Sequence, residues 1–408
     1  KVIQEESQDC SKRKWVPFAK PILGVLLLLT AVSIYGANHL DFEWDFGDNS
    51  EGFNGYLAAH VYETPGNYDV SLIVRDLQGN SQTFNKQISV SSADDFYSGN
   101  TICFSNLGDD FSGCPAGSQQ INTDDFNLIK NEMISGNNKR ILLKRGGVWD
   151  GLIVVLTDID NLYIGDFGSG EKPKINAGIG DLFRIRSGND NVIFANLDLD
   201  GDLAVSGTAF DLNDNLGVYS TNLLLKSVEI DNFEDGFGSQ NNALNKNIIL
   251  QDVKINSVLE YGIGLFGEEL ENFAFLDSKI SNASISGEHA FRVCNGNKGV
   301  INNAIFEDNK QTNLHIRGRD VSLTQNWIVS DSRFYPTPLT IQSPVATLIH
   351  FRNCKEGESG NVANVIFERN IVLGHTVLNR VANNVVIRNN LILHSRASEQ
   401  AAWIRLFQ

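Results

Sequence analysis

Basic residues are scarce in this chain, which has 33 Lys and Arg against 49 Asp and Glu and a formal net charge of −16. A nucleic-acid partner requires a basic face, so this balance argues against one. Five cysteines in 408 residues are too few for a disulfide-built scaffold. The sequence also lacks a Ser-His-Asp pattern, a zinc-ligand spacing and a phosphate-binding glycine loop. None of these catalytic motifs is therefore available to indicate an enzymatic activity.

A short phrase of a small polar residue followed by alternating aliphatics recurs along the second half of the chain. Most successive copies start 20–31 residues apart, with one step of 44. This period, with strand-like alternation and no helical period, predicts a β-solenoid of about ten coils. We interpret the long step as a coil that carries a loop over Asp331–Pro344. The nine starts are Asn161, Asn191, Asn222, Asn247, Asn272, Gly299, Asp320, Asn364 and Asn384.

The N-terminal part contains twenty residues without a formal charge between Lys20 and Asp41. This length predicts a transmembrane helix over residues 21–40. The preceding basic residues place residues 1–20 in the cytoplasm, so the bulk of the chain is expected outside the membrane as an anchored protein. The alternative is a cleaved signal peptide and a secreted protein, although Tyr35 fits its cleavage site poorly.

Residues 41–92 contain the motifs Trp44-Asp-Phe-Gly-Asp48 and His60-Val-Tyr62, followed by an alternating strand over Tyr68–Asp76. Alternation with glycine turns predicts antiparallel strands in a small sandwich. In that order the motifs closely resemble the PKD (polycystic kidney disease) domain, which implies an immunoglobulin-like spacer or binding module without catalysis. The predicted membrane segment occupies the place of the first two strands of such a domain, so we expect a module truncated at its N-terminus.

Residues 93–140 are predicted to be a linker and a cap, with a short helix beginning near Asp124. The following segments, Ile141–Trp149 and Asn161–Ile175, resemble the opening coils of right-handed parallel β-helix proteins of the pectate-lyase-like superfamily. The resemblance covers about residues 136–408 and implies an all-β chain whose solenoid spans 141–408. It leaves activity open, because this scaffold supports lyases, hydrolases, epimerases and non-catalytic adhesins.

Alignment of the coils predicts three neighbouring rows of side chains. Leu199, Ile230, Ile255 and Ile280 should stack inside the solenoid. The outward row before them is Asp198, Glu229, Lys254 and Lys279, and the row after them is Asp200, Asp231, Asn256 and Ser281. Carboxylate oxygens suit Ca²⁺, so Asp198, Asp200, Asp202 and Glu229 are candidate calcium ligands. The alternative is a hydrogen-bonded polar ladder that holds no metal.

A second alignment concerns arginines in similar contexts. It predicts that Arg292, Arg317 and Arg352 project outward in one row, with His315 and His350 beside them. Arginine binds carboxylates in a bidentate manner, so such a row would suit an acidic polysaccharide. The alternative is that neighbouring Asp and Glu side chains already pair with the guanidinium groups.

The sequence therefore predicts an exported protein that binds extracellular, acidic polysaccharide through its solenoid. The alternative is a polysaccharide lyase acting on polyuronate, with His289, His315, His350 or Arg317 as the base. A glycoside hydrolase would require two carboxylates on adjacent coils, for which Asp231 with Glu234 or Asp235 is the candidate pair.

The cysteines divide into two kinds. Cys103 and Cys114 flank a short polar loop and are predicted to pair in an oxidising compartment. Cys294 and Cys354 are predicted to be buried free thiols, because a further coil separates them. Cys10 precedes the membrane segment and is expected to be reduced.

Overall fold

The computed structural model contains two compact units, residues 1–91 and residues 92–408. It describes residues 29–30, 40–213, 220–239, 244–266, 269–286, 288–318, 323–335, 349–353, 361–373 and 382–393. No helix within these ranges has both the length and the apolar character needed to cross a bilayer.

The first unit is built from antiparallel strands. A four-stranded sheet has the spatial order Phe53–Asn54, Leu40–Asp45, Gly66–Asp76 and Ser81–Val90. A two-stranded sheet pairs Leu29–Thr30 with Leu57–Ala58. Trp44 is buried, and its indole Nε1–H donates to the carbonyl of Gly55 at 2.8 Å. The strand Leu40–Asp45 therefore contributes Trp44 to the core of this unit, and the antiparallel pairing of the four strands agrees with the prediction from the sequence.

The strand Leu29–Thr30 corrects the prediction of one uninterrupted helix over residues 21–40. These two residues lie in the middle of the predicted span, yet they form β-bridges with Leu57 and Ala58. An extended backbone pairs with a neighbouring strand and cannot continue a helix. Residues 1–28 and 31–39 lie outside the described residues, so the rest of the predicted anchor has no structural test here.

The second unit is a parallel β-helix whose coils run through three sheets, named A, B and C in the order the chain visits them, with twelve, ten and eight described strands. Sheet A comprises Thr101–Ser105, Gln119–Asn122, Lys139–Lys144, Asp160–Phe167, Asp190–Ala195, Ser220–Lys226, Leu244–Gln251, Glu269–Leu276, Gly296–Asn302, Leu323–Ser330, Asn361–Glu368 and Ala382–Arg388.

Sheet B comprises Val148–Gly151, Lys174–Ala177, Asp198–Asp200, Glu229–Asp231, Lys254–Asn256, Lys279–Ser281, Ile305–Glu307, Arg333–Phe334, Ile371–Leu373 and Leu391–Leu393. Sheet C comprises Val154–Leu156, Phe183–Ile185, Thr208–Asp211, Asp235–Ser239, Ile263–Leu265, Phe291–Cys294, Leu314–Gly318 and Ile349–Asn353. The ten strands of sheet B agree with the predicted number of coils.

Two helices precede the first full coil, Ala93–Phe96 and Phe126–Ile134. The second begins after Asp125, whose carboxylate accepts a hydrogen bond from the N–H of Asn127 at 2.9 Å. Its apolar face packs into the core of the solenoid and protects the terminal coil, which confirms the predicted cap.

The core is a set of continuous aliphatic and aromatic rows. Leu199 pairs with Ile230, Ile230 with Ile255, and Ile255 with Ile280, and all four are fully buried. This confirms the predicted register. Parallel pairing without a shift places each side chain directly on its equivalent in the next coil, so the alternation of the sequence becomes stacking.

The recurring asparagine has a structural cause. The side-chain amide of Asn191 donates to Asn161 at 2.7 Å, that of Asn247 to Asn222 at 2.8 Å, and that of Asn272 to Asn247 at 2.7 Å. All of these asparagines have a positive φ. Asparagine tolerates positive φ better than most residues, and its side-chain amide both donates and accepts hydrogen bonds. The same residue type can therefore form the turn and bond to the equivalent asparagines of the neighbouring coils, an arrangement that we call the asparagine ladder.

Two of the nine predicted starts are misplaced. Phe273 pairs with Gly299 and Gly299 with Trp327, so the residues equivalent to Asn272 are Lys298 and Asn326. The predicted starts were Gly299 and Asp320, and Asp320 lies outside the described residues. The sequence pattern did not reveal these positions because Lys298 replaces the asparagine in one coil. In the next coil Asn326 is followed by Trp327 and not by an aliphatic residue.

The cysteine predictions have mixed outcomes. Cys103 and Cys114 form a disulfide with a Cα–Cα distance of 6.2 Å, as predicted. Cys294 is also disulfide-bonded, which corrects its prediction as a free thiol. Cys10 and Cys354 lie outside the described residues.

Replacement of Asn247 tests the asparagine ladder. Asn247→Ala removes two amide hydrogen bonds and places a Cβ-bearing residue without an amide at positive φ, so we expect unfolding to become easier by about 2–4 kcal/mol. Asn247→Gly keeps the backbone conformation and loses only the ladder, so it should cost about half as much. Urea denaturation of the three proteins measures this. Equal stability of the alanine and glycine variants would show that the positive φ contributes nothing.

Candidate functional site

The loops of the solenoid are concentrated on either side of sheet C. From Ala195 onward, every described connection from sheet A to sheet B has two residues. Over the same range, the connections from sheet B into sheet C have three or more residues, and those from sheet C back to sheet A vary from one to eight. Examples of the longer connections are 201–207, 257–262 and 282–290. Insertions in a solenoid collect on the face that binds ligands, so sheet C is the candidate functional face.

Register along the outer face of sheet C defines one row of residues. The row runs Val155, Arg184, Asp211, Gly238, Gly264, Arg292, His315 and His350. Charged side chains therefore precede and follow two consecutive glycines. The glycines leave a gap in the row, which we call the trough.

The predicted row of three arginines is wrong in its register. Arg292 pairs with His315, whereas Arg317 pairs with Cys294 and Arg352, so the arginines occupy two different rows. Arg317 is only 5% exposed. For His350 and Arg352 only the backbone register is described. The sequence alignment placed Arg292 opposite Arg317 because both follow an apolar residue. The strands instead pair Arg292 with His315, two residues before Arg317.

His315 is poorly placed to act as the predicted base. It is fully buried, and its Nε2 accepts a hydrogen bond from the Nε–H of Arg317. Arginine keeps its proton, so this nitrogen of the imidazole carries none. The ring of His289 lies against His315 with a centroid distance of 4.5 Å. His289 is half-buried, and its ring centroid lies 6.3 Å from that of Tyr261.

A cluster of aromatic and charged side chains covers the Gly264 side of the trough. A Cβ on Gly264 would lie 3.0 Å from Tyr261 Cγ and 3.1 Å from Phe266 Cε2, so both rings occupy that space. The guanidinium of Arg292 lies 4.7 Å from the centroid of the Phe266 ring, and its Nη1 donates to Tyr261 Oη at 3.1 Å. The Tyr261 hydroxyl in turn donates to Glu288. These contacts fix Arg292 at one side of the trough.

Three glutamates stand at the entrance to successive strands of sheet C, each three residues before the paired Phe237, Ile263 and Phe291. They are Glu234, Glu260 and Glu288. The N–H of Glu260 donates to the carbonyl of Glu234 at 2.8 Å. Within the described ranges, only Glu288 has a cation within ion-pair distance, Arg292 at 3.8 Å. Burial, followed by the charges of Glu234 and Glu288, raises the pKa of Glu260.

Asp235 is the most perturbed carboxyl group of this region. Burial raises its pKa to about 7, and the nearby charges of Glu260 and Glu234 act in the same direction. Its Oδ1 accepts a hydrogen bond from the N–H of Tyr261 at 2.8 Å, which opposes part of this rise. A large fraction of Asp235 is therefore protonated at neutral pH.

The carboxylates proposed as calcium ligands pair with lysines. Lys174 Nζ lies 2.7 Å from Asp200 and 3.7 Å from Asp198, and Glu229 pairs with lysines on both sides. Asp202 accepts a hydrogen bond from the N–H of Ala204 within its own turn. The described residues contain no group of three or more His, Cys, Asp or Glu side chains arranged to hold a metal. Calcium binding by Asp198, Asp200, Asp202 and Glu229 stays a prediction.

Comparison with known proteins identifies the first unit. Residues 29–91 match the family model of the PKD domain. The first unit contains a PKD domain. Its match begins at the short strand Leu29–Thr30, within the segment that was predicted to be the anchor.

The solenoid is similar in fold to carbohydrate-acting enzymes. A GH136 lacto-N-biosidase from Eubacterium ramulus is 12% identical with a TM-score of 0.47, covering 73% of this chain and 68% of that one. A family 28 exopolygalacturonase from Yersinia enterocolitica is 10% identical with a TM-score of 0.36, covering 96% of both chains. Matches at this level say nothing about what this chain binds. No curated protein matches the sequence.

The sequence reasoning named some residues of this region and missed others. Glu234 and Asp235 were candidates for a hydrolase, but their proposed partner Asp231 lies in sheet B, where it accepts a hydrogen bond from Asn256 at 2.7 Å. Glu260, Tyr261 and Phe266 were not singled out. The repeated glycine after Phe237 and Ile263 was the available signal, since each occupies the same outward position of its coil.

Asp235 should make the stability of the solenoid depend on pH. The pKa of Asp235 is higher in the folded state than in the unfolded state. The stabilising contribution of protonated Asp235 to the free energy of unfolding is therefore present at acidic pH and is lost as pH rises through about 7. Asp235→Asn removes the ionisable group and should stabilise the protein relative to wild type by roughly 2–4 kcal/mol at pH 8. Urea denaturation of both proteins at pH 5 and pH 8 measures the difference. A difference that does not grow with pH would contradict this assignment.

Proposed function

We propose that the β-helix binds a neutral polysaccharide along sheet C and hydrolyses its glycosidic bonds. The observation that carries the proposal is a buried carboxyl with a raised pKa, Asp235, beside Glu260 on the next coil. Glycosidases use one protonated and one ionised carboxyl group on either side of the scissile bond. Two carboxyl groups in different environments can take these separate roles on one surface.

The roles follow from burial. Asp235 retains its proton near neutral pH and would donate it to the leaving oxygen. Glu260 is less buried and would be the ionised partner that activates water or attacks the anomeric carbon. Asp235 and Glu260 lie on adjacent coils, whose strands are about 4.8 Å apart, and the charge of Glu260 acts on the carboxyl group of Asp235.

A neutral ligand fits the charges of this face better than the predicted acidic polysaccharide. Glu234, Glu260 and Glu288 would repel a polyuronate, and the whole chain carries a net charge of −16. Arg317 is buried, and Arg292 is held by Tyr261 and Glu288. Acidic-polysaccharide binding by Arg292, Arg317 and Arg352, and the lyase alternative, remain the competing hypotheses.

The proposal includes export of the protein. The Cys103–Cys114 disulfide and the disulfide at Cys294 support an oxidising compartment. Whether the N-terminal segment is retained or removed stays a prediction, and sequencing the N-terminus of the mature protein tests it.

Incubation with matched panels of neutral and uronic-acid polysaccharides tests the function. We expect reducing ends to appear only with a neutral glycan, with activity that falls as pH rises through about 7, because Asp235 must be protonated. Asp235→Asn and Glu260→Gln should each lower kcat by about 100-fold or more. Asp231→Asn is the matched control, since Asp231 lies in sheet B, and it should keep its activity.

Other outcomes would support the alternatives. Release of unsaturated products from a polyuronate would establish a lyase. Binding of a polyuronate that weakens with salt and with Arg292→Ala would favour the acidic-glycan hypothesis. Full activity of the Asp235→Asn variant would contradict the assigned acid.

A further inference from the structure

The two glycines of the trough differ in what surrounds them. The space above Gly264 is filled by the rings of Tyr261 and Phe266. A Cβ on Gly238 would meet only Gly264 O at 3.4 Å and Thr208 Cγ2 at 3.8 Å, which are ordinary contacts. Within the described ranges the space above Gly238 is therefore open, and Gly238 is the half-exposed member of a strand whose other residues are buried.

The fold gives no reason for a glycine at position 238. Its φ lies outside the positive range in which glycine is favoured. The residue sits inside a regular parallel strand, where glycine weakens pairing and contributes no side chain to packing. A glycine at such a position often marks the close approach of a ligand to the backbone.

The groups around the trough complement a sugar ring. Tyr261 and Phe266 form an aromatic wall on one side. Arg292 stands behind this wall, and its Nε–H is buried with no hydrogen-bond acceptor among the described residues. Arg292 supports the wall from behind, because its guanidinium lies over the Phe266 ring and donates to the Tyr261 hydroxyl.

We infer that Gly238 is the floor of a subsite for one neutral pyranose ring. The ring would lie over Gly238 between Asp211 and the Tyr261–Phe266 wall. This inference rests on the proposed function and adds the position at which one sugar unit is held. The absence of a side chain at residue 238 determines whether the ring can reach the strand.

Filling the floor tests the subsite. Gly238→Ala adds a Cβ without backbone strain or close contacts, so this protein should fold. Gly238→Leu extends the side chain further into the space above the strand. The matched controls are Gly178→Ala and Gly178→Leu, because Gly178 also has φ outside the positive range and a Cβ there would lie 3.5 Å from Gly151 O. Thermal unfolding of each variant checks the fold.

Binding of neutral pentasaccharides (β-1,4-glucan, β-1,3-glucan, xylan and mannan) is measured by calorimetry, with product release measured separately. For whichever pentasaccharide the wild type binds, Gly238→Leu should raise Kd by about tenfold or more and Gly238→Ala by about two- to fivefold. The Gly178 variants should stay within about twofold of wild type. If Gly238→Leu fails to fold, the ratio of the Kd of Gly238→Ala to that of the wild type tests the subsite.

The failures of the subsite and of the function are distinguishable. Unchanged binding by both Gly238 variants would overturn the subsite while leaving hydrolysis intact. Equal weakening by the Gly178 variants would also overturn it. Binding without product would overturn the proposed hydrolysis and leave the subsite to be judged by the Kd ratios. No binding of any neutral glycan by the wild type would overturn both.

Discussion

Unshifted stacking of one coil on the next is the constraint on which this structure depends. Parallel pairing between coils puts equivalent residues directly above one another. A residue that packs well against its own kind therefore stabilises the stack at each coil, and one that packs poorly destabilises its contacts with both neighbouring coils. The asparagine ladder holds this register at the start of the sheet A phrases, where its members have positive φ and bond to the coil before. Everything on the outer faces, including the candidate site, inherits its alignment from this register.

The same stacking makes charge a local problem, because like charges on successive coils are separated by only one strand spacing. On sheet B the carboxylates pair with lysines: Asp198 and Asp200 with Lys174, and Glu229 with Lys172 and Lys254. At the entrance to sheet C, Glu234 and Glu260 have no such cations among the described residues. The carboxylates are thus paired on sheet B, whereas Glu234 and Glu260 at the entrance to sheet C are not paired with cations among the described residues.

The trough exists because two outward positions of sheet C are glycines and carry no side chain. The outward residues of sheet C bear side chains on most coils, but Gly238 and Gly264 do not, and the rings of Tyr261 and Phe266 fold over only one of them. The acid of the proposed mechanism, Asp235, is held by the backbone N–H of the same Tyr261. One residue thus connects the buried carboxyl to the aromatic wall and to Arg292.

The sequence by itself determined the PKD-like module, the solenoid, the capping helix, the first disulfide and the buried rows, because each follows from local periodicity or from a motif within one segment. Only the tertiary structure decided which side chains meet between coils. The arginine row failed because Arg292 and Arg317 are offset by two residues, a shift that similar local motifs conceal. The acidic entrance and the trough depend on loops of unequal length that bring Glu234, Glu260 and Gly238 to one corner. Such lengths carry no periodic signal, so their consequences appear only when the coils are stacked.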